Sequence, residues 1–120
     1  HGQRETLYES LLAREELMST GIGKGVAIPH PRTPLDYGEI PAFITTCFLK
    51  NSMDYKAVDR QPVFVLFLLI CPSSKRHLQL LARLSFCLRD EAFIKFLNQP
   101  PDPAAFFKKI EVLDHRFDAP

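Results

Sequence analysis

The sequence predicts a single α/β domain in which a mixed parallel and antiparallel β-sheet is covered by helices on both faces. Three observations lead to this prediction: a helix precedes the first strands, an almost continuously apolar run at residues 63–71 leads directly into a second helix, and further helices end the chain. A chain of 120 residues has the usual length of one domain, so we expect residues 1–120 to fold as one unit.

The first quarter of the chain predicts a helix, a bend and a short strand. Residues 4–16 place leucines at helical spacing, and this helix must end before Gly21. Gly21, Gly23 and Gly25 stand at alternate positions, where the backbone can turn tightly and approach a neighbour closely. A short strand is predicted directly afterwards, at residues 26–28.

Two longer strands are predicted at residues 42–49 and 63–71, with a turn between them around Asn51 and Ser52. The second of these strands is almost entirely apolar. Such a run is typical of a strand whose two faces are both covered. We therefore expect it to lie at the centre of the sheet.

The second half of the chain predicts three helices. Ser73 or Ser74 supplies the N-cap of the first, and its 3.6-residue period extends to residue 88 or 89. A second helix is predicted at residues 91–97. The third runs from residue 102 or 103, where a proline suits the first turn, to residue 113.

Charge and hydropathy exclude several classes of protein. Fifteen basic and fourteen acidic residues, mixed along the chain, give a net charge of +1, so no broad field exists to hold nucleic acid or an anionic membrane. The longest apolar run has nine residues, whereas a membrane-spanning helix needs about 20. Since no signal peptide is recognisable, we expect a cytoplasmic protein that neither binds nucleic acid nor inserts into a membrane. Cys47, Cys71 and Cys87 lie far apart in apolar runs and are predicted to be reduced core residues.

Two histidines stand where α/β proteins place their ligand sites, at strand ends and helix N-termini. His30 follows the strand at residues 26–28, and Pro29 and Pro31 stiffen its loop. His77 falls in the first turn of a helix, among amide groups that favour an anion. A neutral imidazole is a competent nucleophile near pH 7, because one nitrogen can react while the other is held by a hydrogen bond.

Single residues of these types do not by themselves indicate a function. Lys75 and Arg76, in the same turn as His77, suit a site that receives phosphate. Judged alone, Arg14 would be a solvated cation at a helix end, His30 an ordinary surface residue, and His77 a helix-start residue that bonds the cap. His1, at the start of the chain, and His115, in a polar tail, are given no functional role.

The run Arg14-Glu-Glu-Leu-Met-Ser-Thr-Gly-Ile-Gly-Lys-Gly-Val-Ala-Ile-Pro-His30 resembles the active-site signature of the type-2 enzyme IIA domains, the mannitol, fructose and nitrogen-regulatory types, of the phosphoenolpyruvate-dependent sugar phosphotransferase system. Its last four residues match the family's A-x-P-H ending, whose histidine is phosphorylated. The run His77-Leu-Gln-Leu-Leu-Ala-Arg-Leu84 matches a second family histidine that opens a leucine-rich helix. Arg14 matches an arginine that the family places near the phosphoryl group.

This resemblance implies that residues 1–120 are one enzyme IIA type-2 domain, truncated at its N-terminus, because family members carry further elements before this point. It implies that His30 accepts a phosphoryl group from an HPr-type phosphocarrier, that His77 stabilises this group and that Arg14 contacts it. The acceptor is an enzyme IIB or a regulatory target protein. No metal and no cofactor are implied.

The Ser-Thr-Gly-Ile-Gly run at residues 19–23 resembles the nitrogen-regulatory and fructose branches more than the mannitol branch. Of these we favour the nitrogen-regulatory branch as the closest, in which the phosphorylation state is itself the signal. One alternative is a sugar-transport enzyme IIA of the fructose or mannitol type that donates phosphate to an enzyme IIB. An alternative of another class is a non-catalytic regulatory binding module. The chain departs from the family at Pro31, where glycine or alanine is common.

Three other kinds of site use the same residues. A nucleotide-binding loop at residues 21–25 fails on spacing, because a P-loop needs glycine at position 18 and Ser or Thr at position 25. A metal site of His30, His77 and Cys71 lacks a close pair of ligands in the sequence. A thiol hydrolase would pair Cys71 with His77, but the apolar strand argues for a buried thiol.

Overall fold

The structure is a computed structural model that describes residues 2–31, 41–99 and 102–118. The chain divides into two compact units, His1–His77 and Leu78–Pro120, and each is described by itself. The elements in chain order are α1 (Gly2–Leu17), β1 (Gly21–Gly23), β2 (Val26–Ala27), β3 (Phe43–Met53), β4 (Val63–Ile70), α2 (Ser74–Leu88), α3 (Glu91–Asn98) and α4 (Pro103–Asp118). No helix within the described ranges has the length and apolar character needed to cross a membrane. That residues 1–120 form one domain stays a prediction.

The first unit contains a four-stranded mixed sheet with the strand order β1-β2-β4-β3. β2 runs parallel to β4, whereas β1 with β2 and β3 with β4 are antiparallel pairs. β4 is a central strand, as its apolar sequence predicts. One of its faces is buried, through Val63, Val65, Phe67 and Leu69, and the other is half-buried. The predicted α/β class with a mixed sheet is confirmed.

The glycine-rich stretch is a β-hairpin, so strand β1 stands where an irregular bend was expected. Its turn holds Lys24 at φ 58° and Gly25 at φ 81°, in the left-handed region that glycine adopts without steric cost. A Cβ at Gly25 would lie 2.2 Å from the Phe64 ring, so only glycine lets this turn lie so close to β4. The Lys24 N–H donates to Asp59 at 2.8 Å and ties the hairpin to the loop before β4.

β3 is longer than predicted, and the turn expected around Asn51 and Ser52 is wrong. Both residues lie inside β3, where the register against β4 shifts between Phe48 and Met53. Extra residues at such a bulge leave the hydrogen-bonded ladder without ending the strand. Since β3 is an edge strand, these polar residues remain exposed to solvent.

The helices of the second half begin at capping residues. Side-chain oxygens of Ser73, Asp90 and Asp102 each accept the N–H of the residue three positions further on. The predicted helices are confirmed, although α4 continues beyond residue 113 to Asp118. Within the second unit, Arg83 of α2 donates to Asp118 at 2.6 Å, and this contact supports the additional turn of α4.

Two of the three cysteines lie where the sequence predicts. Cys71 and Cys87 are buried free thiols, whereas Cys47 is an exposed one. The prediction for Cys47 is wrong because β3 alternates between exposed and half-buried positions, and Cys47 occupies an exposed one. Apolar neighbours in a sequence do not show which face of an edge strand meets solvent.

Candidate functional site

The sheet brings two chain segments to the same edge. β2 and β4 are parallel, and the Pro29 carbonyl accepts the Leu69 N–H at 3.0 Å, which extends the pairing beyond β2. The carboxyl ends of neighbouring parallel strands lie at one edge of a sheet. His30 follows the first segment there, and the chain that leaves β4 reaches His77 in the first turn of α2.

Two imidazole rings meet at this edge. The ring centroids of His30 and His77 are 4.8 Å apart, and the ring planes are tilted by 49°. Both side chains are half-buried. The structure thus brings together the two histidines that the sequence singles out.

Both ring nitrogens of His30 have partners. Nδ1 lies 2.9 Å from the Ile28 carbonyl oxygen, and the Arg14 Nε–H donates to Nε2 over 3.1 Å. A carbonyl can only accept and a guanidinium can only donate, so the ring proton is on Nδ1, and the lone pair on Nε2 accepts from Arg14. His30 is therefore held as the Nδ1–H tautomer, with its lone pair directed at Arg14.

Arg14 reaches His30 from the last turn of α1. Its Nη1 donates to the Met18 carbonyl at 2.5 Å, in the region where a helix end leaves carbonyl groups unpaired. Next to Arg14, the Glu15 carboxylate accepts both the N–H and the hydroxyl of Thr20. All three residues predicted for the site lie in one place: Arg14 donates to the His30 ring, and the His77 ring lies beside it.

His77 contributes its ring to this site and not its backbone amide. The Ser73 Oγ accepts the Arg76 N–H at 3.2 Å, and the His77 N–H donates to the Ser73 carbonyl at 3.1 Å. The amide of His77 is thus paired, because the fourth residue after the cap already belongs to the helix ladder, although His77 lies in the first turn of α2 as predicted. Burial lowers the pKa of His77, and the neighbouring His30 and Arg14 lower it further by charge.

The lowered pKa of His77 should make the stability of the protein depend on pH. As the pH falls, the unfolded chain protonates His77 near the ordinary pKa of 6.5, whereas the folded chain does so only at a lower pH. The contribution of His77 to the free energy of unfolding is therefore fully present above pH 6.5 and is lost as the pH drops towards the folded-state pKa. Denaturant unfolding above and below pH 6.5 measures the effect. We expect His77→Gln to reduce the difference in the free energy of unfolding between the two pH values. An unchanged difference would contradict the assignment to His77.

The structure argues against the other kinds of site. In the part of the chain that the structure describes, no group of three or more His, Cys, Asp or Glu side chains can hold a metal ion. Burial raises the pKa of the Cys71 thiol, and the opposing effect of Arg76 is smaller, so a reactive thiolate is disfavoured. Residues 21–25 form β1 and the turn into β2, whereas a P-loop joins a strand to a helix.

Comparison with known proteins agrees with this geometry. Residues 2–112 match the family described as "Phosphoenolpyruvate-dependent sugar phosphotransferase system, EIIA 2". The chain belongs to this family. The EIIA 2 chain is 38% identical over 109 residues to a nitrogen regulatory protein of Bradyrhizobium diazoefficiens, covering 88% of this chain and 69% of that protein. It is 40% identical over 107 residues to one of Pseudomonas aeruginosa, covering 87% of this chain and 67% of that protein.

The fold of the EIIA 2 chain is also similar to a solved structure. The crystal structure of the nitrogen regulatory protein IIA-Ntr from Neisseria meningitidis matches with a TM-score of 0.75 at 28% identity, over 86% of this chain and 70% of that one. The resemblance to type-2 enzyme IIA domains, with the nitrogen-regulatory branch closest, is therefore confirmed. The roles of His30, His77 and Arg14 stay predictions.

Reasoning from the sequence missed the contact between Glu15 and Thr20, which lies next to Arg14. A signal was present, because an acidic residue in the last turn of a helix opposes the helix dipole. A residue that breaks a local rule often has a tertiary or functional reason. Here the reason is a pair of hydrogen bonds that join α1 to the start of β1.

Proposed function

We propose that this EIIA 2 chain is a phosphohistidine carrier that receives a phosphoryl group on Nε2 of His30 from an HPr-type phosphocarrier. The observation behind the proposal is the state of the His30 ring: the Ile28 carbonyl holds Nδ1, and the Nε2 lone pair faces Arg14. An imidazole nucleophile needs one free lone pair, and an adjacent arginine supplies donors for phosphoryl oxygens. The chain thus acts as a phosphotransferase with a phosphohistidine intermediate.

The transfer exchanges one N–P bond for another. The Nε2 lone pair of His30 attacks phosphorus in line, the bond from phosphorus to the carrier's histidine nitrogen breaks, and its electron pair returns to the carrier. No proton leaves His30, since Nδ1 keeps its own. The phosphorylated ring is cationic, and the Ile28 carbonyl, 2.9 Å from Nδ1, stabilises that charge.

Arg14 has to release Nε2 before the attack, because its Nε–H occupies the lone pair that forms the new bond. A guanidinium has five N–H donors, and the contacts with His30 and Met18 use two of them. Moving the donor from a neutral ring to anionic phosphoryl oxygens replaces an ordinary hydrogen bond by a stronger, charge-assisted one. Arg14 then stabilises the charge of the transition state, and no metal or cofactor is required.

His77 is the second residue assigned to the phosphoryl group. Its ring lies beside that of His30, and its lowered pKa keeps it neutral near pH 7. A neutral imidazole has one ring N–H to donate. We assign this N–H to a phosphoryl oxygen, so that His77 stabilises the phosphorylated state without competing as a second cation.

The acceptor follows from the branch of the family. The nitrogen regulatory proteins to which the chain is similar support a regulatory role, in which target proteins in the cytoplasm read the phosphorylation state of His30. The alternative is a transport role, in which an enzyme IIB takes the phosphoryl group. A phosphorylated chain that donates rapidly to an enzyme IIB of the fructose or mannitol type would favour the transport role.

Incubation with a phosphorylated HPr-type carrier tests the proposed function. We expect the chain to gain one phosphoryl group that is labile in acid and stable in alkali, and to return it when excess unphosphorylated carrier is added. Mass spectrometry of the intact protein measures the gain, and unphosphorylated carrier is the control. A chain that takes no phosphoryl group from such carriers would instead be a non-catalytic binding module.

A further inference from the structure

We propose that Glu15 is a positioning residue for this transfer: its carboxylate ties the last turn of α1 to Thr20 and so holds Arg14 against Nε2 of His30. This inference rests on the proposed function of His30. Glu15 does not touch the reacting atoms in the structure, since its described partners are Thr20 and Tyr55. Its effect on the reaction is exerted through Arg14.

The first step of the argument is the contact between Glu15 and Thr20. Oε1 accepts the Thr20 N–H at 2.9 Å, and Oε2 accepts the Thr20 hydroxyl. Thr20 is only 4% exposed, and burial together with the charge of Glu15 raises the pKa of the neighbouring Tyr55 phenol. Charge-assisted hydrogen bonds are strong, and a low dielectric strengthens them further. The carboxylate therefore fixes the end of α1 to the start of β1.

The second step is that both ring nitrogens of His30 are connected to the contact between Glu15 and Thr20. The Thr20 carbonyl accepts the Ile28 N–H at 3.0 Å, and the Ile28 carbonyl holds Nδ1 of His30. Arg14, which precedes Glu15 in the chain, donates its Nε–H to Nε2 of His30. Together these contacts form a closed loop of residues: Arg14, Glu15, Thr20, Ile28 and His30.

The third step is that this closed loop of contacts restrains the position of Arg14. Helix ends fray, and α1 ends at Leu17, within one turn of Arg14. An acidic side chain does not stabilise such a turn by itself, because it opposes the helix dipole. The contact with Thr20 supplies the missing restraint. Once it is lost, the Arg14 donors are displaced, and a misplacement of about 1 Å can cost about 100-fold in rate.

A double-mutant cycle on the rate of transfer to His30 tests this role. We expect Glu15→Ala to slow transfer by about 10- to 100-fold, but to change the rate of an Arg14→Ala chain by no more than about twofold. Glu15→Gln should stay close to the wild-type rate, because its amide can accept the Thr20 N–H and donate to the hydroxyl oxygen. Glu16→Ala, at an exposed neighbouring position, is the matched control. Fully additive losses in the double variant would overturn the proposal.

A nitrogen-15 NMR measurement tests the same inference without any carrier. The scalar coupling between Arg14 Nε and His30 Nε2 across their hydrogen bond should be present in the wild type and Glu15→Gln and lost in Glu15→Ala. If circular dichroism shows that Glu15→Ala does not fold, Thr20→Val replaces it and should weaken the coupling. A coupling missing from the wild type, or unchanged in the folded variants, overturns the role of Glu15. A wild type that shows the coupling but takes no phosphoryl group contradicts the proposed function alone.

Discussion

His30→Gln should abolish the formation of an acid-labile phosphoprotein. A glutamine amide nitrogen can donate a hydrogen bond, but its lone pair is delocalised into the carbonyl, so the variant has no nucleophilic nitrogen with which to attack phosphorus. We therefore expect the rate of phosphoryl transfer to fall by at least about 1,000-fold, to the background of the measurement. Incubation with phosphorylated HPr-type carrier, followed by mass spectrometry, gives this rate.

The matched control is His115→Gln. His115 is an exposed histidine of α4, and its replacement should leave labelling at the wild-type level. Acid-labile label that persists on the His30→Gln chain would contradict the assignment of His30. If that label disappears only when His77→Gln is added, the acceptor is His77, whose ring is the neighbour of His30 in the structure.

Most of the fold could be predicted because its local signals agree with its tertiary structure. The apolar run that becomes β4 and the serine cap that starts α2 lie within a few residues of each other. Each signal is local, and each is strong without knowledge of the rest of the chain. The two elements could therefore be predicted together, and they are the ones that lead to His77.

The elements that could not be predicted depend on partners far away in the sequence. β1 is Gly-Ile-Gly, which has little strand propensity, and it exists because it pairs with β2 and lies against Ala57. Asn51 and Ser52 have the composition of a turn, but pairing with β4 keeps the chain extended through a bulge. The last turn of α4 relies in the same way on Arg83, which lies 35 residues away from Asp118.

The candidate site, like the fold, contains parts that could be predicted from the sequence and parts that could not. The proximity of His30 and His77 follows from a general rule, because parallel strands present their carboxyl ends at one edge. The contact of Arg14 with His30 has no local signal in the sequence, and only the resemblance to a family indicated it. The tautomer of His30 is set by atomic distances, which no spacing of residue types encodes. The unfavourable place of Glu15 at a helix end signals that it has a partner, but it does not identify that partner as Thr20.

Arg14→Ala should have the second-largest effect on the rate of phosphoryl transfer. Arg14 is assigned two actions that oppose each other. In the resting site its Nε–H covers the Nε2 lone pair of His30, and in the transition state its donors stabilise the phosphoryl oxygens. Removing such donors costs about 100- to 1,000-fold in rate, and we expect transfer to slow by this amount. Arg14→Lys should recover only part of the loss, since an ammonium group keeps the charge but not the planar fork.

The two actions of Arg14 separate when His30 is also probed with a small electrophile that needs no stabilisation by arginine. The lone pair of an imidazole attacks a carbonyl carbon of diethyl pyrocarbonate and displaces ethyl carbonate, so Arg14→Ala should speed this reaction at Nε2 of His30 while slowing phosphoryl transfer. A merely structural arginine would slow both reactions or change neither. Arg4→Ala, at an exposed position near the other end of α1, should leave both rates as in the wild type. If Arg14→Ala left transfer within about twofold of wild type, phosphoryl stabilisation would have to come from His77, and the arginine would serve only to shield the resting nucleophile.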